Sequence, residues 1–123
     1  MSDVEVTTAD MDKLLAFLPI FEDEQFVAVA KWNPWPEYTA EASAFFRLAG
    51  KPCWNEYNYL GSEASKKIDD DAFIKVASLA DIKAMLTLCV RSERFGDGNW
   101  AHFLQSGRIV AILRRLQVIR GEQ

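Results

Sequence analysis

At 123 residues, half of them apolar and 12% aromatic, the chain is long enough for one domain with its own core and too apolar for a disordered segment. Its net charge of −4 disfavours a uniform nucleic-acid-binding surface, and two cysteines with one histidine provide neither a disulfide framework nor zinc-ligand spacing. No basic-then-apolar signal segment opens the chain, and no apolar run nears the ~20 residues of a membrane span, so a cytoplasmic protein without metal or cofactor is expected.

Residues 1–6 read as a loose leader. Thr7 or Thr8 can cap a first helix, with Asp10 and Asp12 at its positive end. Met11, Leu14, Leu15, Leu18 and Phe21 then form one helical stripe, which Pro19 should kink or stop near Leu18 because its ring clashes with the Leu15 carbonyl. Phe26–Trp32 is short and β-branched, the most strand-like run, yet no partner strand is evident. Asn33-Pro34-Trp35-Pro36 is a turn, with Pro36 placed to begin a helix whose apolar stripe is Tyr38, Ala42, Phe45 and Ala49. Gly50 should end it in the left-handed conformation, ahead of Pro52. Cys53–Ser65 lacks a period and reads as a loop or short helix around the core. Asp69-Asp70-Asp71 is a helix-cap and turn feature rather than a metal site, since consecutive side chains point apart.

Ser78 with Asp81 forms a capping box and opens the clearest helix. Leu79, Ile82, Met85, Leu86, Cys89 and Val90 make a broad apolar face, and Ala80, Ala84 and Leu88 a narrower one, so Leu79–Arg94 is expected to be the core helix. If the helix keeps its packing to the end, its last turn carries Arg91, Glu93 and Arg94 towards that core, where ionic groups require partners; the alternative is that this turn projects beyond the core into water. Gly96-Asp97-Gly98 gives a tight exit, and Asn99 or Asp97 can cap a short helix over Trp100–Ser106 that Gly107 ends. Ile109, Ile112, Leu113, Leu116 and Ile119 share one face of a last helix, although Arg108–Leu113 has strand propensity. The sum is a mainly α, single-domain bundle of four to six helices over residues 1–123, with at most a minor β element near Phe26–Trp32.

From Arg91 onward, Arg-x-x-Arg-Phe-x-Asp-Gly, then Gly107, then Ile-x-x-Ile-Leu-x-Arg-Leu, resembles a family of small bacterial proteins known as domain of unknown function 6508. The Pro36-x-Tyr38 and Phe45 spacing is similar too, whereas Cys53-Trp54 stands where the family pattern has Asp-Trp. The resemblance is specific over Leu79–Leu116. It implies a shared fold and no activity, ligand or catalytic residue.

Three functional readings follow. The first is a non-enzymatic binding or interaction module. Arg91 and Arg94, three apart on a helix, can fork a small anionic ligand, with Glu93 and Asp97 beside them and Trp54, Tyr57 and Trp100 as walls. The bland alternative is that Glu93, Asp97 and the N-terminal acids already neutralise both arginines. The second reading is nucleic-acid binding through Arg108, Arg114, Arg115 and Arg120, which the acidic total and the single residue Gly107 between the last helices oppose. The third is a small acid–base enzyme using Glu93, Asp97 and His102, without a nucleophile motif or phosphate loop to support it. Met1–Glu41 carries nine acids and two lysines against nine acids and twelve bases in the remainder, so the halves should face each other within the fold or across a homodimer. The tryptophan excess and the last helix's stripe would suit such an interface.

Overall fold

The structure, a computed structural model, describes residues 5–32, 34–94 and 96–122. Most of the expected leader and Asn33 of the expected turn lie outside them. Helix α1 (Thr8–Leu15) starts where the sequence predicts: the Thr7 hydroxyl accepts the Asp10 N–H at 3.1 Å, and the Asp10 carboxylate accepts the Thr7 N–H at 2.9 Å. That second bond holds the Asp10 carboxyl below its ordinary range. Pro19 breaks the stripe as expected. Lacking an N–H, it sits in the first turn of a separate helix α2 (Leu18–Glu22), and Met11, Leu14, Leu18 and Phe21 stay buried across the break.

The strand-like run does find a partner. Strand β1 (Val29–Lys31) pairs antiparallel with β2 (Glu37–Tyr38), with an irregularity between Val29 and Lys31. Pro36 therefore precedes a strand and does not begin a helix. Helix α3 (Ala40–Ala49) starts after Thr39, whose hydroxyl is turned back to the Val27 and Ala28 carbonyls. Gly50 ends α3 at φ −86°, outside the left-handed region. A side chain there would instead crowd the Phe46 carbonyl, 3.2 Å from a Cβ, and Val90 of a later helix at 3.7 Å. The tight contact is with the carbonyl of its own helix, while Val90 would stand at ordinary van der Waals distance.

The aperiodic middle folds into two 3-10 turns (Pro52–Trp54 and Tyr59–Gly61) and two short helices, α4 (Glu63–Lys66) and α5 (Asp71–Lys75). Ser62 and Asp70 cap them, the Asp70 carboxylate accepting the Phe73 N–H at 3.2 Å. Helix α6 (Leu79–Ser92) carries the predicted capping box, Ser78 with Asp81, and ends two residues earlier than expected. Ile82, Ala84, Met85, Leu86 and Cys89 are buried, while Ala80 on the narrow strip faces solvent. Thr87, the buried polar residue of the described core, accepts the Glu56 N–H at 3.0 Å, with the Lys83 and Trp54 carbonyls within its hydroxyl's reach. Helices α7 (Asn99–Gln105) and α8 (Arg108–Gly121) follow, separated by Gly107 at φ +85°. All five predicted stripe residues of α8 are buried, and α8 touches α1, α2, α5, α6 and α7.

The fold is mainly α, with eight α-helices among the described residues. That exceeds the expected four to six because Pro19 splits one helix and short caps create two more. Two helices share the centre, α6 and α8, where α6 alone was expected. A ring cluster links α2, α3 and α7: Phe45 lies 5.0 Å from Phe21 and 5.9 Å from Trp100, and Phe46 meets Trp100 edge-on at 5.1 Å. None of the described helices is long and apolar enough to cross a membrane.

Cys53 and Cys89 are buried free thiols, and burial pushes both thiol pKa values up. Alkylation of both thiols should be slower in the native protein than in denaturant, since only thiolate reacts. A native rate for Cys53 close to that of a free thiol, followed by mass spectrometry, would contradict this packing.

Candidate functional site

Helices α3 and α6 converge at their C-terminal ends, where Gly50 lies beside Val90. Beside this contact lies a groove of about 500 Å³ walled by Phe46, Arg47, Gly50, Asn55, Val90, Arg91, Glu93 and Arg94. Arg91, half-buried, donates from its guanidinium to Asn55 Oδ1 at 3.0 Å and lies 5.5 Å from the centre of the Tyr59 ring. Both partners are uncharged, so the cation is held in place without being neutralised. Arg94, one turn on, is exposed, as is Arg47 on α3. None of these three arginines forms an ion pair among the described residues.

Glu93 behaves differently from its neighbours. Tyr38 donates its hydroxyl to Glu93 Oε2 at 2.7 Å, and the N–H groups of Gly98 and Trp100 donate to Oε1 at 3.2 and 3.0 Å. Gly98, at φ +96°, has no side chain to cap α7, so a carboxylate from the preceding helix performs that task. Asn99, a predicted cap, instead donates its amide to the Ser92 carbonyl at 2.9 Å and ties the two helix ends together. Burial, then the bond to Glu93 and its charge, raise the Tyr38 phenol above its ordinary pKa, which keeps it a donor. A second cavity of about 280 Å³, bounded by Tyr38, Ser43, Phe46, Arg47, Glu93 and Trp100, shares Phe46, Arg47 and Glu93 with the first.

Of the residues the sequence singles out, Arg91, Arg94 and Glu93 meet at the groove. Trp54 and Trp100 do not wall the cationic compartment: they are 1% and 0% exposed and belong to the core. Trp100 donates its indole N–H to the Ala42 carbonyl at 3.3 Å and closes the smaller cavity from beneath. Asp97 is exposed and outside the lining, and Tyr57 is exposed at 72%. The expected neutralisation of Arg91 and Arg94 by Glu93, Asp97 and N-terminal acids is absent among the described residues, because Glu93 is committed elsewhere and two of those acids reach α8 instead.

The other four arginines are all engaged. Arg114 forks Glu22 at 2.7 and 2.9 Å, Arg120 pairs with Asp12 at 2.8 Å, and Arg108 meets Asp71 at 2.7 Å and the Ile68 carbonyl. Arg115 donates to the Ala77 carbonyl at 2.7 Å. The acidic N-terminal stretch and the basic C-terminal helix therefore face each other inside one chain, and the α8 stripe is buried in its own core. Both features that suited a two-fold interface are thus accounted for within the protomer, while Trp32 and Trp35 remain exposed at 59% and 62%. His102 lies exposed on α7 against Phe103 and forms no ion pair with a carboxylate among the described residues.

Sequence reasoning missed Arg47, Tyr38 and Asn55. Arg47 follows the apolar pair Phe45-Phe46 with no motif of its own, and only the packing of α3 on α6 brings it to the groove. No curated protein and no solved structure matches the sequence. The family model described as a family of unknown function, DUF6508, matches residues 6–122. That match spans nearly the whole fold, groove included, and the chain belongs to this family.

Proposed function

We propose that this protein is a cytoplasmic, non-enzymatic binding module whose α3–α6 groove takes a small anionic ligand. One observation carries the reading: Arg47, Arg91 and Arg94 share a groove without a carboxylate partner among the described residues, whereas all four arginines of α8 are engaged by protein acceptors. A guanidinium held by a neutral amide and ring, as Arg91 is, stays both oriented and charged, which suits bidentate recognition of an anion. The engaged state of Arg108, Arg114, Arg115 and Arg120 correspondingly weakens the nucleic-acid alternative, which needs them for phosphates. Glu93 serves α7, which leaves the acid–base reading short of its principal carboxylate. The two buried thiols suit a reducing compartment.

Calorimetric or NMR titration with acetate and inorganic phosphate at low ionic strength tests the reading. Binding should fall by about ten- to a hundredfold in Arg94→Gln, the loss of one charge-assisted contact. Arg114→Gln should leave it unchanged. Equal affinities in wild type and Arg94→Gln, or no binding of either anion, would overturn the proposal.

A further inference from the structure

Resting on the reading of the groove as an anion site, we infer that Asn55 is its positioning residue: it fixes the Arg91 guanidinium as the anchor for the bound anion, and it does so without a charge that would compete with the guest. The three arginines of the groove differ in freedom. Arg47 and Arg94 are exposed, so each loses rotamer freedom when it closes on a ligand. Arg91 is half-buried, donates to Asn55 Oδ1 at 3.0 Å and stands 5.5 Å from the centre of the Tyr59 ring. Its freedom is already lost on folding, and a guest meets a guanidinium set in place.

The residue that holds Arg91 is itself held. Asn55 follows the Pro52–Trp54 turn and donates its own N–H to the Pro52 carbonyl at 3.2 Å. Thr87 ties the chain on either side of it to α6: its hydroxyl accepts the Glu56 N–H at 3.0 Å and lies 3.2 Å from the Trp54 carbonyl. Thr87 is 3% exposed and stands one turn before Arg91 on the same helix, so loop and guanidinium share one rigid support. An aspartate at position 55 would have the same reach and would bond the guanidinium more strongly, but its charge would oppose an incoming anion. The amide supplies the orientation and leaves the positive charge to the guest.

The test is acetate binding, by NMR titration, to wild type, Asn55→Asp and Asn55→Leu, with the urea midpoint of each. Asn55→Asp should bind acetate about tenfold more weakly, while its midpoint holds or rises. Asn55→Leu, which leaves Arg91 charged but untethered, should fall between the two. In the unliganded wild type, nitrogen relaxation at the side-chain Nε–H groups should show Arg91 rigid and Arg47 and Arg94 mobile on the picosecond–nanosecond scale, independently of any variant's folding. Undiminished affinity in Asn55→Asp, weaker binding by Asn55→Leu than by Asn55→Asp, or an Arg91 as mobile as Arg94 would overturn the inference. So would a fall in affinity that comes with a lowered midpoint in Asn55→Asp, which would assign the amide to structure alone. Absence of acetate binding to wild type is a separate result, and it would overturn the anion-site reading and this inference with it.

Discussion

Replacing Trp100 by alanine should lower the unfolding free energy by about 3–5 kcal/mol, the range for deleting a large buried aromatic. The side chain is 0% exposed, lies 5.9 Å from the Phe45 ring and 5.1 Å from Phe46, and donates to the Ala42 carbonyl. Alanine would leave a cavity at the junction of α3, α6 and α7, together with a backbone acceptor that has lost its donor. Domains of this size are stable by about 5–15 kcal/mol in total, so the variant should lie near its unfolding threshold. Urea denaturation followed by circular dichroism gives the value. A loss below about 1 kcal/mol would mean that the tryptophan is peripheral to the core.

The second large effect is expected at Glu93. Alanine there removes the acceptor for three donors, the Tyr38 hydroxyl and the N–H groups of Gly98 and Trp100. Hydrogen bonds to a charged group contribute about 1.5–3 kcal/mol each when well protected. Glu93 is half-buried and the three bonds share one carboxylate, so a total loss of about 2–4 kcal/mol is expected for Glu93→Ala. Glu93→Gln keeps one oxygen and the side-chain volume and should lose about half as much. Because Tyr38 and Glu93 act together, the double variant Tyr38→Phe/Glu93→Ala should be little worse than Glu93→Ala alone. Strict additivity would show that the 2.7 Å contact contributes nothing to stability.

Much of the architecture is legible in the sequence wherever a single physical rule decides. The α8 stripe, the Ser78–Asp81 box and the Pro19 break each follow from helical periodicity, one cap or one missing N–H. The β1–β2 pairing was not legible because Glu37–Tyr38 is two residues long and shows no alternation. Gly50 illustrates a different limit: glycine before Lys-Pro reads as a left-handed cap, yet its φ is −86° and the tightest neighbour of a side chain there would be the Phe46 carbonyl of its own helix. The corner at the end of α6 was visible as a cluster of charges, but its internal division was not. Arg91 and Glu93 stand two apart and suggest an ion pair. In the fold, Glu93 turns to α7 and Tyr38, and Arg91 turns to Asn55 and Tyr59, choices that depend on backbone N–H groups no pattern exposes. Composition likewise gave the tryptophan excess without dividing it into core (Trp54, Trp100) and surface (Trp32, Trp35).

The α3–α6 groove is proposed to take a small anion on its three arginines. Proton–nitrogen NMR of the arginine side-chain Nε–H groups during an acetate titration reads this residue by residue. Saturable shifts are expected at Arg47, Arg91 and Arg94, with Arg108, Arg114 and Arg120 unmoved on their own acids. Shifts confined to the α8 arginines, or none at the groove up to high millimolar ligand, would contradict it.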